Sequence, residues 1–196
     1  MYKEEKEMLT KEREEAVVSL CQKVIRQRSY SGEEQGVANV LKENMQAMGF
    51  DEVTIDKYGN IIGCIKGKRP GKKILFDGHI DTVPVTDETE WQYPPFAAEI
   101  HDGKIYGRGT SDMKGAVSAM TCAAANFAKD TDKDFAGEIY VAGVVHEECF
   151  EGVAAREISK AVQPDYVVIG EASQLNLKVG QRGRGEIVVE TFGVPC

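Results

Sequence analysis

Two segments, Lys73-Ile74-Leu75-Phe76-Asp77 and Glu138 to Val145, carry apolar residues at consecutive positions rather than at alternate ones. Strands of that kind belong inside a sheet, away from its solvated edge. Around them the pattern switches between a period of two and a period of 3.6. Val53 to Asp56 and Ile61 to Lys66 flank Tyr58-Gly59-Asn60 and predict two short strands joined by a tight turn. Tyr166 to Ile169 predicts another buried strand, and Leu175 to Val179 with Glu186 to Phe192 predict a strand pair. Helical spacing runs from Glu4 to about Arg28. It resumes after Ser31-Gly32-Glu33-Glu34, which resembles a capping box, and stops at Gly49. Met113 to Lys129 and Val153 to Ala161 predict two further helices. Strands alternating with helices mean an α/β fold, and 196 residues without repeat, linker or low-complexity tract point to one domain.

Charge narrows the choice of partner. Twenty-four Lys and Arg against 32 Asp and Glu leave a formal charge of −8, opposite to what a phosphate backbone or an anionic lipid surface requires. Neither nucleic acid nor a membrane is expected as partner. No run of about 18 apolar residues is present, and the opening Met1-Tyr2-Lys3-Glu4-Glu5 is too polar for a secretory signal. Cys21, Cys64, Cys122, Cys149 and Cys196 are scattered and form no Cys-x-x-Cys pair, so a reducing cytoplasm is the expected location.

Acidic and imidazole side chains collect at the ends of the predicted central strands, where open α/β sheets place their ligand sites. In Gly78-His79-Ile80-Asp81 an extended backbone turns His79 and Asp81 to the same side. The carboxylate can then accept the second ring N–H and set the tautomer for metal binding; a surface histidine satisfied by its neighbour is the plainer reading. Gly107-Arg108-Gly109-Thr110-Ser111-Asp112-Met113-Lys114-Gly115 precedes the Ala-rich helix. Either Ser111 or Asp112 caps that helix, or the glycines let Asp112 project as a ligand. The stretch lacks the Gly-Lys-Ser/Thr ending of a phosphate loop and the third glycine of a dinucleotide fingerprint, which argues against a nucleotide-binding domain. His146-Glu147-Glu148 ends the second apolar strand. Two adjacent carboxylates there must be solvated or paired, and one can bind a metal while the other handles a proton. Gly170-Glu171 follows the next strand in the same way.

In that order these blocks resemble the co-catalytic zinc aminoacylase and carboxypeptidase family, which includes acetylornithine deacetylase, succinyl-diaminopimelate desuccinylase, tripeptidase T and glutamate carboxypeptidase. The resemblance runs from about Ser31 to Cys196 and rests on Gly78-His79-Ile80-Asp81-Thr82-Val83-Pro84, Gly107 to Gly115 and His146-Glu147-Glu148. Gly180-Gln181-Arg182-Gly183-Arg184-Gly185-Glu186 and Gly193-Val194-Pro195-Cys196 look most like the branch named selenium metabolism hydrolase.

The resemblance implies a three-layer catalytic domain with a mostly parallel mixed sheet, and a site for two zinc ions that cobalt or manganese can replace. His79 and Glu171 would hold one ion, Glu148 the other, and Asp112 would bridge them. Asp81 would orient His79, and Glu147 would be the general base that hands its proton to the leaving amine. It further implies that residues 1–196 are the N-terminal part of the catalytic domain. A dimerising inserted domain and two more histidines of the site would then follow Cys196, giving a homodimeric full-length protein. The expected substrate is a small N-acyl amino acid or dipeptide. Arg182 and Arg184 are candidate carboxylate binders, or else surface charges. The rival reading is a fragment that keeps the fold and binds metal or ligand without turnover.

Overall fold

The structure is a computed structural model that describes residues 9–150, 152–180, 183, 185 and 187–193. Helix α1 spans Lys11–Ile25. Thr10 caps it by accepting the Arg13 N–H, and Leu20, Cys21, Val24 and Ile25 form its buried stripe. Arg13 forks onto both carboxylate oxygens of Asp130, at 3.0 and 2.5 Å, and so ties this helix to a later one. Helix α2, Gln35–Ala47, buries Val37, Ala38, Leu41 and Met45, and Gly49 leaves it at φ +86°. The predicted capping box does not form. The cap position is Glu34, without a side-chain bond to the helix, because Ser31 and Glu34 are drawn to acceptors and donors of the site described below.

A five-stranded sheet follows in the order β1 (Glu52–Ile55), β2 (Ile61–Lys66), β6 (Ala136–Val144), β3 (Arg69–His79), β7 (Tyr166–Ile169). The β1–β2 turn is closed by Asp56, whose carboxylate accepts the N–H groups of Tyr58 and Asn60. A tight turn can only return the chain antiparallel. β1–β2 and β2–β6 are antiparallel while β6–β3 and β3–β7 are parallel, so four of the five strands run in one direction and β2 alone opposes them, the mostly parallel mixed sheet that was expected. Helix α3, Gly115–Asp130, lies between β3 and β6 in sequence. The one-turn helix α4, Glu147–Phe150, and helix α5, Val153–Val162, lie between β6 and β7. A short hairpin, β4 (Glu99–His101) and β5 (Lys104–Tyr106), forms a separate sheet that the periodicity had not indicated.

Neighbouring residues point to opposite faces of a strand, and the two apolar clusters show it directly. Ile61, Ile65 and Val141 pack with Leu20, Val24, Leu41, Met45 and Val117, whereas Ile62, Leu75, Ala142 and Val144 pack with Ile158 and Val162. Helices α1 to α3 thus cover one face and α5 the other, which makes three layers. Because β3, β6 and β7 run in the same direction, their C-terminal ends lie together: His79 pairs with Val144 and Asp77 with Ile169.

Two expectations need correction. Tyr166 to Ile169 is a strand but not a buried one; among the described residues it is the sheet edge, paired with β3, and all four side chains are exposed. The strand pair expected at 175–179 and 186–192 is not formed among the described residues, whose apolar side chains Leu177, Ile187 and Val189 stand in solvent. Two strands without a third partner or a helix to cover an apolar face do not persist in water. Among the described residues no helix is long and apolar enough to cross a membrane.

Candidate metal centre

His79 is the last residue of β3 and is almost fully buried. A β-carbon on its neighbour Gly78 would lie 2.5 Å from Met113 Cε and 2.7 Å from Val117 Cγ2, so only glycine lets the start of α3 press against the strand here. The imidazole Nε2 lies 2.8 Å from Asp112 Oδ1 and 3.8 Å from Glu171 Oε1. Its Nδ1 lies 3.0 Å from the backbone carbonyl of Asp81 and 3.5 Å from that residue's carboxylate, so the main chain is the nearer acceptor.

The Asp81 carboxylate is occupied elsewhere. Wholly buried, it accepts the Ser31 hydroxyl at 2.7 Å and the N–H groups of Glu147 and Glu148 at 3.1 and 3.0 Å. Burial alone would raise its pKa, but the bonds from His79, Ser31, Glu148 and Glu147 outweigh it and hold the group below the usual carboxylate range. Beside it Glu34 Oε1 accepts the N–H groups of Gly32 and His146, both at 3.0 Å. Two buried carboxylates therefore hold the turn that presents Glu147 and Glu148. The sequence reading missed Ser31 and Glu34, because both sat in a pattern that reads as helix capping.

Asp112 stands in an irregular turn, Thr110–Lys114, with extended backbone at φ −126° and ψ 95° and a cis peptide bond to Met113. Neither Ser111 nor Asp112 caps α3; Lys114 holds the cap position and no side chain bonds to the helix end. Gly109, at φ +82°, opens the turn, and a β-carbon there would lie 2.7 Å from Thr82 Cγ2. Lys114, fully buried, donates to the carbonyls of Val24 and Gln27 at 3.2 and 2.8 Å, which pins the turn to the end of α1. Burial pushes its ammonium down to about 8. A lysine at the mouth of an Ala-rich apolar helix was the one sequence signal for it.

Glu147 and Glu148 are half-buried at the start of α4. Burial raises both carboxyls. The charges of Glu171, Glu148 and Asp81 add to this at Glu147, and those of Asp112, Asp81 and Glu171 at Glu148, against the opposing imidazole of His79. His79, Asp112 and Glu148 each offer a ligand atom within 4.8 Å of the others. One imidazole with carboxylates is a donor set suited to zinc and its neighbours. Asp77, two residues before His79, is buried with Oδ1 lacking a partner among the described residues, and burial with the charge of Glu171 lifts its carboxyl to about 6.

His101 stacks on Tyr93 at 3.8 Å and bonds Glu99, outside this cluster. Arg182 and Arg184 lie outside the described residues.

Burial would lower the pKa of His79, but the bonds to Asp81 and Asp112 and the charge of Glu171 reverse this and raise it to about 10. A proton thus competes with any cation for the ring nitrogen. Zinc binding to the metal-free chain should release about one proton at pH 7.5, and its affinity should rise with pH toward 10. Calorimetry in two buffers of different ionisation enthalpy measures this. No proton release would show an imidazole already neutral.

The sequence profile of peptidase family M20/M25/M40 matches residues 75–192. The Escherichia coli K12 protein YgeY is 36% identical over 170 residues, covering 86% of this chain and 41% of the relative. Succinyl-diaminopimelate desuccinylase 2 of Ruegeria sp. TM1040 is 31% identical over 189 residues, covering 90% and 47%. The chain therefore spans less than half the length of these relatives. Among solved structures, the M20 family metallo-carboxypeptidase Sso-CP2 of Sulfolobus solfataricus superposes at TM-score 0.66 with 23% identity, covering 82% of this chain and 37% of the other. The Bacillus subtilis YXEP protein, described as a dinuclear metal binding peptidase from the same family, superposes at 0.59 with 18% identity, covering 78% and 40%. At such identities the superpositions speak for the fold.

Proposed function

Since this chain belongs to peptidase family M20/M25/M40, we propose that its protein is a metal-dependent hydrolase that cleaves the amide bond of a small N-acyl amino acid or dipeptide. The observation that carries the reading is the convergence of His79, Asp112, Glu148 and Glu171 at the common end of β3, β6 and β7. His79 and Glu171 would hold one zinc, Glu148 the other, and Asp112 would bridge them. The dinuclear description of the Bacillus subtilis relative supports two ions. Bound there, the ions supply Lewis acidity and a water that ionises near neutral pH.

The chain's own groups do the rest. The Glu147 carboxylate, raised by burial and by its acidic neighbours, takes the proton of the attacking water and delivers it to the leaving amine nitrogen. Asp81 fixes where that carboxylate stands by holding the Glu147 and Glu148 N–H groups. Residues 1–196 would be the N-terminal part of a catalytic domain, and the full-length protein a homodimer. Free thiols at Cys21, Cys64, Cys122 and Cys149 suit a cytoplasmic location.

With one imidazole among the four clustered donors, this chain should retain one zinc firmly and a second weakly, since carboxylates alone suit harder cations. Metal analysis after gel filtration decides the point. A chain that retains no zinc would overturn the reading, and two firmly held ions would require a further ligand, with His146 or His101 the first to replace.

A further inference from the structure

Beside Asp112 and Glu148 opens a cavity of about 290 Å³ whose other walls include Val83, Trp91, Tyr106 and Arg108. The Arg108 Nε is buried there and has no acceptor among the described residues. No ion pair holds the guanidinium among the described residues: its carbon lies 5.0 Å from the centre of the Trp91 ring, and the Arg108 backbone N–H donates to the Pro95 carbonyl at 2.8 Å. In a chain with 32 Asp and Glu, an arginine at the wall of a cavity whose buried Nε has no acceptor among the described residues offers a donor to a ligand there, because a buried unmet donor costs stability.

We propose that Arg108 determines specificity by binding a carboxylate of the substrate in this cavity. This rests on the hydrolase reading and adds a residue to it: Arg108 would hold the carboxylate that such an amide carries on a short arm next to the scissile bond. The volume, near the lower end for ligand sites, takes one acyl group or side chain and not an extended peptide. Asp112 and Glu148 share the cavity wall, so a singly charged carboxylate is favoured over a doubly charged phosphate, which they would repel more strongly.

The test uses the zinc-loaded chain and three probes: N-acetyl-L-alaninamide, which is neutral, and N-acetyl-L-alanine and N-succinyl-L-alaninamide, which place one carboxylate on either side of the amide. Calorimetry should find at least one anionic probe bound about tenfold more tightly than the neutral one. Arg108→Met should reduce that preference to within about twofold, and Arg108→Lys should keep part of it as a cation without the fork. Circular dichroism and zinc content of each variant show that the fold and the centre survive. Equal binding of all probes, binding of none, or a preference retained in Arg108→Met overturns the assignment. Zinc content on the same samples keeps the two readings apart. Zinc retained without anion preference removes Arg108 alone, whereas an Arg108-dependent preference in a chain that holds no zinc supports the anion subsite and removes the hydrolase reading.

Discussion

Glu147→Gln in the full-length protein should keep its metal and lose turnover by a factor of about 10² or more, the scale of a general base. Glu147 and Glu148 are adjacent, yet only Glu148 joins His79 and Asp112 in the group of atoms close enough to share a cation. The glutamine preserves size and leaves the backbone N–H bond to Asp81 intact, so the substitution removes the proposed proton acceptor and little else. Steady-state rates beside metal content read the two effects separately. Metal loss with a modest change in rate would exchange the roles of the two glutamates.

Asp81→Asn should be the most disruptive of the conservative changes, damaging both fold and metal affinity. The side chain is wholly buried and accepts from Ser31, Glu147 and Glu148 while lying 3.5 Å from the His79 ring. An amide cannot accept with both ends, so at least one buried donor is left unmet, at a cost of about 1–3 kcal/mol. Metal affinity should fall by about 10 to 100-fold through the misplaced imidazole and glutamate turn. Asp112→Asn offers the contrast: its side chain is 60% exposed, so the urea midpoint should hardly move while metal binding falls further than in Asp81→Asn. A midpoint unchanged in Asp81→Asn would show that the turn before α4 is held by other contacts.

Much of this protein is written locally. The apolar period of α1, α2 and α5, the hairpin turn at Asp56 to Asn60 and the two-faced apolar runs of β3 and β6 each record what a segment buries, and burial of one's own side chains leaves its mark within a few residues. The site motifs were legible for a related reason: His79, Glu148 and Glu171 each stand at or just past a strand end, and a polar residue that terminates an apolar run is visible without knowing what it meets.

Only the tertiary structure decided which groups meet. Ser31 and Glu34 look like helix caps in sequence, yet they bond across 50 and 112 residues to Asp81 and to the His146 N–H. Lys114 reaches back 90 residues to Val24. Asp81, expected to serve His79 through its carboxylate, keeps that contact at 3.5 Å but also holds the glutamate turn with the same group and offers His79 its carbonyl at 3.0 Å. The strands expected beyond Glu171 are not formed among the described residues for the same reason, since a strand is completed by a neighbour and not by its own pattern. Hydrogen-bond partners are chosen by long-range closure of the chain, and closure leaves no periodic trace in the residues it joins.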